Sequence, residues 1–520
     1  MNEASFGETQ VKLFLYPWFP FAFAVGFPLT VYSHNQAAFA GADVLRPALV
    51  FLLIAVLLTL IVRRFVANRT LANVLAAIPL VCIWILGLRW PTYLALGIWL
   101  CAVLLARNRN LPNSITPVLN ALAVGVLCLP ILTIILVDTT TSDDSLQGVP
   151  YSPFTTASDT VIASNKPDIY HIVLDAYTGS DALTNELGFD NSEFYEQLRG
   201  LDFVVNESII APYNETVHTM SSIFLGEYLR EGEFPIESNS STELRSTLGA
   251  LIPNGPVHKI LQENGYSTLY TDPGYPFLHF PNNATVLRDT YNSPLNTFEM
   301  HLGRISGLDR LLPDLYEVSQ EDPLILSIKS AFRNDYAEFN SPKFVYQHVL
   351  APHSPFTTDR YGSKTTAFPG FVTPADFAVL DNPAMRQTYV RGYLEKLRFV
   401  NDQLLGQVRK LRQMPGDKII IVHGDHGSGS KYFIEDPDKT CLRERFTTFV
   451  AVYADDPLIQ NEFRWVPGTD ASLANIYRSM INSLLDQNLE LLPGRSSFVR
   501  YSAPHELLPL DRERILHACE

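Results

Sequence analysis

One stretch decides the fold of this chain: residues 418–427 read KIIIVHGDHG. Four consecutive apolar residues, 419–422, predict a strand that is buried on both faces in a parallel sheet. The strand ends in a loop where Asp425 and His426 stand side by side between two glycines. Ligands of open α/β sheets bind outside the carboxyl ends of the strands, and a carboxylate beside an imidazole suits a divalent metal. The stretch predicts a metal-binding loop, with a solvated Asp-His turn as the alternative.

A second strand of the same kind lies far upstream, where residues 168–175 read DIYHIVLD. It is also apolar, and it also ends in a carboxylate, Asp175. Because parallel strands bring their carboxyl ends to one edge, we expect Asp175 to lie near Asp425 and His426. Two carboxylates and one imidazole leave a position on the metal for a nucleophile or a substrate oxygen, as a catalytic site requires. Taken alone, Asp175 is equally compatible with a turn or a helix cap.

The chain has 520 residues, which is too long for one ordinary domain, and its charge is unevenly distributed. Residues 1–137 hold eight Lys or Arg and three Asp or Glu, a net charge of +5. The whole chain has a net charge of −15, so the remainder carries −20. This acidic balance argues against a nucleic-acid partner, which would need a basic patch.

Apolar stretches dominate the first 137 residues and predict a transmembrane domain. Most of them approach the ~20 residues needed to cross the hydrocarbon core of a bilayer. A buried bundle in a soluble protein is the alternative, but five such stretches in a row argue against it. A cleaved signal peptide is not expected, since the first stretch contains three prolines and is followed by more spans. The five predicted spans lie near residues 13–33, 46–62, 71–88, 91–106 and 116–137.

Basic loops between these spans predict the orientation. Arg63, Arg64 and Arg69 lie between the second and third spans, and Arg107 and Arg109 lie between the fourth and fifth. Positively charged loops stay cytoplasmic. We therefore expect a multi-pass protein of the cell membrane (inner or plasma), embedded in the lipid bilayer. Its amino terminus would be cytoplasmic and its large carboxyl-terminal part extracytoplasmic.

The rest of the chain is expected to form an α/β domain. Residues 138–166, rich in Thr, Ser, Asp and Pro, predict a linker. Residues 167–500 alternate strands with helices, which is typical of an α/β sheet, and residues 501–520 are set apart as a carboxyl-terminal tail. Cys441 and Cys519 lie in the exported part, where a disulfide is permitted but not required. Predicted strands are 168–174, 344–350, 418–422 and 446–453, and predicted helices are 191–201, 385–414 and 471–486.

A hydroxyl-rich segment offers a candidate nucleophile. Residues 211–222 read APYNETVHTMSS and precede an amphipathic run. Hydroxyls and backbone N–H groups at a helix N-terminus form a natural phosphate seat. A metal there can lower the pKa of a threonine hydroxyl and make it a nucleophile. An ordinary Ser/Thr helix cap is the alternative.

A second segment offers histidines. Residues 344–356 read FVYQHVLAPHSPF, which places His348 near the end of a strand and His353 in a loop bracketed by prolines. Prolines fix the loop, and a fixed loop can hold a histidine against a substrate oxyanion. A solvated surface histidine is the alternative.

Together these motifs resemble the membrane-anchored, sulfatase-like branch of the alkaline phosphatase superfamily. The layout is similar to that of lipoteichoic acid synthases and of the phosphoethanolamine or phosphoglycerol transferases of bacterial envelopes. In those proteins, five spans precede an extracytoplasmic α/β catalytic domain with a mixed, mainly parallel sheet flanked by helices. The resemblance implies that Asp175, Asp425 and His426 bind the metal, that Thr216 is the nucleophile and a fourth ligand, and that His353 faces the substrate.

The resemblance also implies substrate-binding roles for Asn214, near the nucleophile, and for His348 as a weaker candidate. Two positions depart from the family pattern, since Thr219 and Gly424 stand where serines are usual. The run 443–450 looks like the family's arginine-containing strand. Near Thr216 there is no Cys/Ser-x-Pro-x-Arg segment of the kind that sulfatases convert to formylglycine. Sulfate-ester hydrolysis by that route is therefore not expected.

The resulting hypothesis is a transferase that uses one divalent ion, Mn²⁺, Zn²⁺ or Mg²⁺. It would move a phospho-substituent from a lipid-linked or phosphodiester donor to an envelope glycan or lipid acceptor, through a phospho-threonine. A phosphatase, phosphodiesterase or sulfatase-like hydrolase would differ in the acceptor, and the sequence does not separate these alternatives. A non-catalytic membrane protein that retains the fold is a third possibility. The complete set of Asp175, Thr216, Asp425 and His426 argues against it.

Overall fold

The computed structural model contains two compact units. One unit comprises Met1–Ser142 and Tyr291–Gln320, and the other comprises Asp143–Thr290 and Glu321–Glu520. The structure describes residues 16–34, 41–86, 90–140, 154, 166–230, 241–271, 285–287, 295, 297–312, 328–329, 331–332, 336–365, 367–368, 382–466, 471–485, 487–517 and 519.

Elements are numbered in chain order. The helices are α1 Phe19–Ser33, α2 Leu45–Phe65, α3 Arg69–Leu86, α4 Trp90–Leu105, α5 Ile115–Thr140, α6 Ser180–Asn185, α7 Ser192–Arg199, α8 Thr216–Leu225, α9 Ser241–Asn254, α10 Pro256–Glu263, α11 Thr297–Ser306, α12 Leu308–Leu311, α13 Pro383–Gln413, α14 Leu442–Phe446, α15 Pro457–Asn461, α16 Ile476–Leu485 and α17 Arg512–Leu516. The strands are β1 Asp168–Leu174, β2 Val204–Ile210, β3 Ser267–Thr271, β4 Thr285–Leu287, β5 Lys343–Val349, β6 Lys418–Gly424, β7 Thr447–Ala454, β8 Ser496–Val499 and β9 Leu507–Leu510.

Helices α1–α5 of the first unit follow the five apolar stretches seen in the sequence. By length and composition, Gly41–Phe65 and Ile115–Ile135 are long and apolar enough to cross a membrane. The remaining three apolar helices are shorter, at 10–17 residues. Large apolar side chains of α2, such as Leu49, Leu53 and Leu57, are exposed. An apolar surface of this kind marks a membrane or protein contact. The structure thus contains two candidate spans, and a five-span bundle stays a prediction.

The second unit is built on one seven-stranded sheet in the order β2-β7-β6-β1-β5-β3-β4. Strand β1 pairs in parallel with β5 and β6, and β3 pairs in parallel with β4 and β5. Strand β7 is antiparallel to both of its neighbours, β2 and β6. The predicted α/β domain with a mixed, mainly parallel sheet is therefore confirmed.

Helices cover both faces of this sheet, and β1 contributes to a core on each side. Its residues Tyr170, Ile172 and Leu174 pack into one core, which contains α13 residues such as Leu397 and Leu404. Alternate side chains of β1, including Val173, face the other core with residues of α8 and α16. Every residue of β1, β5 and β6 is buried, which explains their continuous apolar sequences.

Two segments differ from the predicted domain boundaries. Residues 501–520 do not form a separate tail: β9 pairs with β8 in an antiparallel ribbon, and Cys519 forms a disulfide with Cys441. The short strands, of four residues each, and Pro509 within β9 hid this ribbon from a search for apolar periodicity. Residues 291–320, inside the predicted catalytic domain, belong to the first unit.

A buried ion pair joins the first residues of β1 and β5. Lys343 Nζ lies 2.6 Å from Asp168 Oδ2, and the two side chains are only 3% and 6% exposed. Removing one partner of a buried pair leaves an uncompensated charge, which costs about 3–5 kcal/mol. We expect Lys343→Met to lower the free energy of unfolding of the full-length chain by that amount, as measured by urea denaturation in detergent.

The matched control is Lys439→Met, because Lys439 pairs with Asp436 at 3.5 Å on the surface. An exposed pair contributes at most about 1 kcal/mol, so this variant should unfold like the parent chain. Equal losses in the two variants would contradict the account of the β1–β5 pairing.

Candidate active site

Two carboxylates lie one residue beyond the ends of neighbouring strands. Leu174 of β1 is the register partner of Gly424 of β6, so Asp175 and Asp425 emerge together at the carboxyl edge of the sheet. The backbone N–H of Ala176 donates to Asp425 Oδ1 at 3.0 Å, and the N–H of Asp175 donates to the carbonyl of Val349 at 3.0 Å. Each loop is thus fixed by the backbone of its neighbour.

These carboxylates converge on His426. One ligand atom each of Asp175, Asp425 and His426 lies within 4.8 Å of the others. His426 Nε2 is 3.8 Å from Asp175 Oδ1 and 3.5 Å from Asp425 Oδ2. Within the described part of the chain, both of these oxygens are buried and lack a hydrogen-bond partner. Buried carboxylate oxygens without donors are costly, and the donor set therefore fits a divalent cation.

The protonation state of His426 is also suited to metal coordination. Its Nδ1 lies 2.9 Å from the carbonyl oxygen of Gly427, and we assign the proton to Nδ1 on this basis. The lone pair of Nε2 then points toward the carboxylates. Burial, and then the guanidinium of Arg445, lower the pKa of His426 to about 4. The imidazole is neutral at physiological pH.

Thr216 joins this group from a different part of the chain. It is the first residue of α8, it is buried, and its Oγ1 lies 3.2 Å from His426 Nε2. A helix N-terminus carries a partial positive charge that favours an anion. One turn later, Thr219 Oγ1 donates to the carbonyl of Tyr213 at 3.1 Å. Thr216 thus contacts His426, whereas Thr219 supports the backbone of the same segment.

Histidines surround the free side of Asp175. His348 Nε2 lies 3.4 Å from Asp175 Oδ2, and its Nδ1 lies 3.0 Å from the hydroxyl of Tyr346. Burial alone would raise the pKa of Asp175, but His353, His348 and His426 outweigh it and hold the pKa below its ordinary value. Asp175 is therefore an anion, as a metal ligand must be.

His353 lies in a loop whose backbone is held by hydrogen bonds to neighbouring elements. Its backbone N–H donates to the carbonyl of Asp175 at 3.0 Å, and its Nδ1 lies 2.6 Å from the carbonyl of Ser354. The buried Lys396 of α13 donates to the carbonyls of Leu350, His353 and Pro355 at 2.9, 2.5 and 3.2 Å. The loop therefore holds His353 beside Asp175. Sequence reasoning missed Lys396, because one lysine in a long helix resembles a solvated residue.

Asn214, for which substrate binding was predicted, is hydrogen-bonded within the chain. Its Nδ2 donates to the Tyr432 hydroxyl at 2.9 Å and to the carbonyl of Val499 at 3.0 Å. Its Oδ1 accepts from the N–H of Val499 at 2.7 Å, and the residue is fully buried. Both ends of the amide are used, so Asn214 ties the nucleophile segment to β8.

Arg445 and Glu444 organise the site and were not predicted as site residues. Arg445 donates from Nε and Nη2 to the carbonyl of Asn214 at 3.0 and 2.6 Å, and from Nη1 to the carbonyl of Gly427 at 3.1 Å. It thereby joins the segment before Thr216 to the loop that carries Asp425 and His426. Buried Glu444 accepts hydrogen bonds from Ser428 and Ser430 in that loop. In the sequence they were marked only by the likeness of the run 443–450 to an arginine-containing strand.

The glycines of the metal loop are required by close contacts. A Cβ on Gly424 would overlap Thr448 Oγ1 and lie 2.8 Å from the carbonyl oxygen of Tyr177. A side chain at this position would therefore require Thr448 or Tyr177 to move. A Cβ on Gly427 would overlap the carbonyl oxygen of Glu444.

Gly427→Ala should therefore displace the loop that carries Asp425 and His426. Changes that disturb the support of a metal site typically cost 10–100-fold in affinity, and we expect a loss of about this size in a metal titration by calorimetry. Gly406→Ala in α13 is the control, because a Cβ there meets open space. Unchanged metal affinity in Gly427→Ala would refute the proposed role of this contact.

Comparison with known proteins identifies one family that this chain resembles in sequence. Residues 252–455 match the Sulfatase family model, a region that includes His348, His353, Asp425 and His426 but begins after Asp175 and Thr216. No curated protein matches the chain significantly.

Several solved structures are similar to this chain at low identity. The integral membrane lipooligosaccharide phosphoethanolamine transferase A from Neisseria meningitidis is 14% identical, with 80% of this chain and 75% of that chain covered and a TM-score of 0.37. The C-terminal periplasmic domain of EptC from Escherichia coli is 12% identical, with coverages of 68% and 96% and a TM-score of 0.38. The phosphonate monoester hydrolase of Agrobacterium radiobacter is 13% identical, with coverages of 64% and 80% and a TM-score of 0.38. The family match agrees with the resemblance seen in the motifs over residues 252–455: this region is a Sulfatase-family domain, of the kind found in enzymes.

Proposed function

We propose that this protein is a metal-dependent, membrane-anchored transferase. It moves a phospho-substituent from a lipid-linked or phosphodiester donor to an envelope glycan or lipid acceptor. The observation that carries the proposal is the position of Thr216 Oγ1, at a helix N-terminus and 3.2 Å from His426 Nε2. A hydroxyl next to a neutral imidazole that itself contacts two buried carboxylates has the surroundings of an activated nucleophile.

Asp175, Asp425, His426 and Thr216 would hold one divalent ion. Carboxylate and hydroxyl oxygens with one imidazole suit Mn²⁺, Zn²⁺ or Mg²⁺. Such an ion, when bound, supplies positive charge that lowers the pKa of a hydroxyl and offsets charge on a phosphoryl group.

The chain's own residues account for the remaining chemistry. The deprotonated Thr216 Oγ1 attacks phosphorus, a Thr216–phosphorus bond forms, and the bond to the leaving oxygen breaks. The N-terminal N–H groups of α8 stabilise the charge on the phosphoryl oxygens. In the second step, an acceptor hydroxyl gives its proton to His353 and attacks phosphorus, and the bond from phosphorus to Thr216 Oγ1 breaks.

His353 is the proposed acid for the leaving oxygen. Its Nδ1 is engaged with the carbonyl of Ser354, so Nε2 is the nitrogen that can carry a proton to the substrate. The clamp by Lys396 keeps this ring in place during the reaction. His348 is more deeply buried against Asp175 and Tyr346, and it is the weaker candidate for substrate contact.

The proposed location is the cell membrane, with five spans, a cytoplasmic amino terminus and an extracytoplasmic catalytic unit. The exposed apolar side chains of the first unit support contact with lipid. The disulfide between Cys441 and Cys519 supports export of the second unit, because such bonds persist in oxidising compartments. Lipid-held donors would be available on the same side.

Thr216→Ala should lower turnover by roughly a thousandfold or more, as the loss of other nucleophiles does, while Thr216→Ser should retain activity. The assay uses purified full-length protein with Mn²⁺ and envelope lipids labelled in the head-group phosphate. Mass spectrometry should find label on Thr216 in the parent chain and none in Thr216→Ala. Thr388→Ala, at a partly buried position of α13, serves as the control.

The same assay separates the transferase from a hydrolase. A transferase consumes the trapped label faster when a glycan or lipid acceptor is added, whereas a hydrolase releases it to water at an unchanged rate. Full activity of Thr216→Ala would remove the covalent mechanism altogether.

Asp425→Asn should weaken metal binding by more than about a hundredfold, since it removes a direct ligand rather than an outer partner. Metal content after gel filtration, measured by mass spectrometry, should fall from one ion per chain to near zero. Asp438→Asn, at an exposed aspartate, should keep its metal. Chelation of the parent chain should abolish turnover, and metal retained by Asp425→Asn would exclude the proposed ligand set.

A further inference from the structure

One segment of the carboxyl-terminal part of the chain packs into the membrane unit. Helices α11 and α12 follow the catalytic strands β1 to β4 in sequence, yet they belong to the first unit. Phe298 and Leu302 of α11 are buried in a cluster with apolar residues of the first three helices. That cluster also contains Ala24, Phe27, Val44, Phe51, Ala55 and Leu80.

The contacts of α11 identify one end of the bundle. The ring of Phe298 meets Tyr32, near the end of α1, at 6.2 Å between centroids. Glu299 forms an ion pair with Arg46, at the start of α2. Trp84, near the end of α3, packs against the same cluster. In the orientation predicted from the basic loops, these three helix ends all lie on the extracytoplasmic side.

The apolar face of α11 continues beyond the residues that are buried against the other helices. Phe298, Leu302 and Ile305 are spaced by four and three residues, so they share one face of the helix. The first two are buried, but Ile305 is 42% exposed. Leu311 and Leu312, after α12, are 52% and 49% exposed.

We propose that residues 297–312 form an interfacial element that inserts Ile305, Leu311 and Leu312 into the outer leaflet of the bilayer. Leu45 and Leu49 at the same end of α2 are also exposed, so the apolar side chains of the segment extend a surface that already faces lipid. Amphipathic elements of this kind lie about 5–10 Å into the headgroup and acyl boundary. The partner is therefore the lipid surface.

This inference rests on the proposed membrane topology and adds a second attachment to it. The catalytic part of the chain would be held at the bilayer both by the segment after α5 and by residues 297–312. Two attachments along the sequence restrict the catalytic part more than one flexible linker does. The element would thus keep the catalytic part near lipid-held donors.

Site-directed spin labelling of the full-length chain in phosphatidylcholine–phosphatidylglycerol nanodiscs tests the proposal. Cys82, Cys101 and Cys128 are replaced by serine, and the disulfide is retained. A label is placed by Leu311→Cys, and collisions with oxygen, which partitions into lipid, are compared with those of a water-soluble nickel complex. We expect the oxygen-to-nickel ratio at Leu311 to be several times the ratio of an aqueous control.

Two matched positions make the outcomes distinct. Leu458→Cys, on the 75% exposed Leu458 of α15, gives the aqueous value, and Leu53→Cys, in the middle of α2, gives the value for the hydrocarbon core. An aqueous ratio at Leu311 with a lipid ratio at Leu53 overturns the interfacial element alone. An aqueous ratio at Leu53 overturns the membrane topology itself. Dipolar broadening at Leu311, which marks a second copy of the chain, also overturns the lipid contact.

Discussion

The arrangement depends on two buried carboxylates that stand side by side at the ends of β1 and β6. Asp175 and Asp425 each keep one buried oxygen without a hydrogen-bond donor among the described residues. Placing two like charges together in a protein interior is strongly unfavourable unless a cation compensates them. The pairing of Leu174 with Gly424 makes this proximity unavoidable once the sheet forms. The fold thus requires a positive charge next to Asp175 and Asp425.

Two buried cations near the site bond to backbone carbonyls. Lys396 donates to three backbone carbonyls, and Arg445 donates to the carbonyls of Asn214 and Gly427. Among the described residues, Asp175 and Asp425 instead contact His348 and His426. Both cations thereby shape the loops of the site. A site built in this way keeps its anionic oxygens for an external ion and orients the chain around it.

How far the sequence could predict this arrangement depended on the range of the interactions. Strands β1, β5, β6 and β7 are buried on both faces, so continuous apolar runs located them within about two residues. The convergence of Asp175 and Asp425 followed from the rule that parallel strands share an edge. The hydrogen bonds of Asn214 could not be predicted, because their partners lie far away in the chain. The ribbon of β8 and β9 and the Cys441–Cys519 bond depend on tertiary contacts that have no local signal.

A buried hydrogen-bond chain beneath the carboxylates shows how the site keeps its shape. The hydroxyl of Tyr477 lies 2.6 Å from His171 Nδ1, and His171 Nε2 lies 2.7 Å from His423 Nε2. His423 Nδ1 in turn lies 2.9 Å from the carbonyl of Gly424. Burial lowers the pKa of His423 to about 4 and that of His171 well below its ordinary value. With both rings neutral, one direction of donation satisfies every atom: Tyr477 to His171, His171 to His423, and His423 to Gly424. This series of hydrogen bonds therefore connects α16 to Gly424, the residue before Asp425. The packing of α16 against the sheet thus helps to hold the Asp425 carboxylate at the sheet edge.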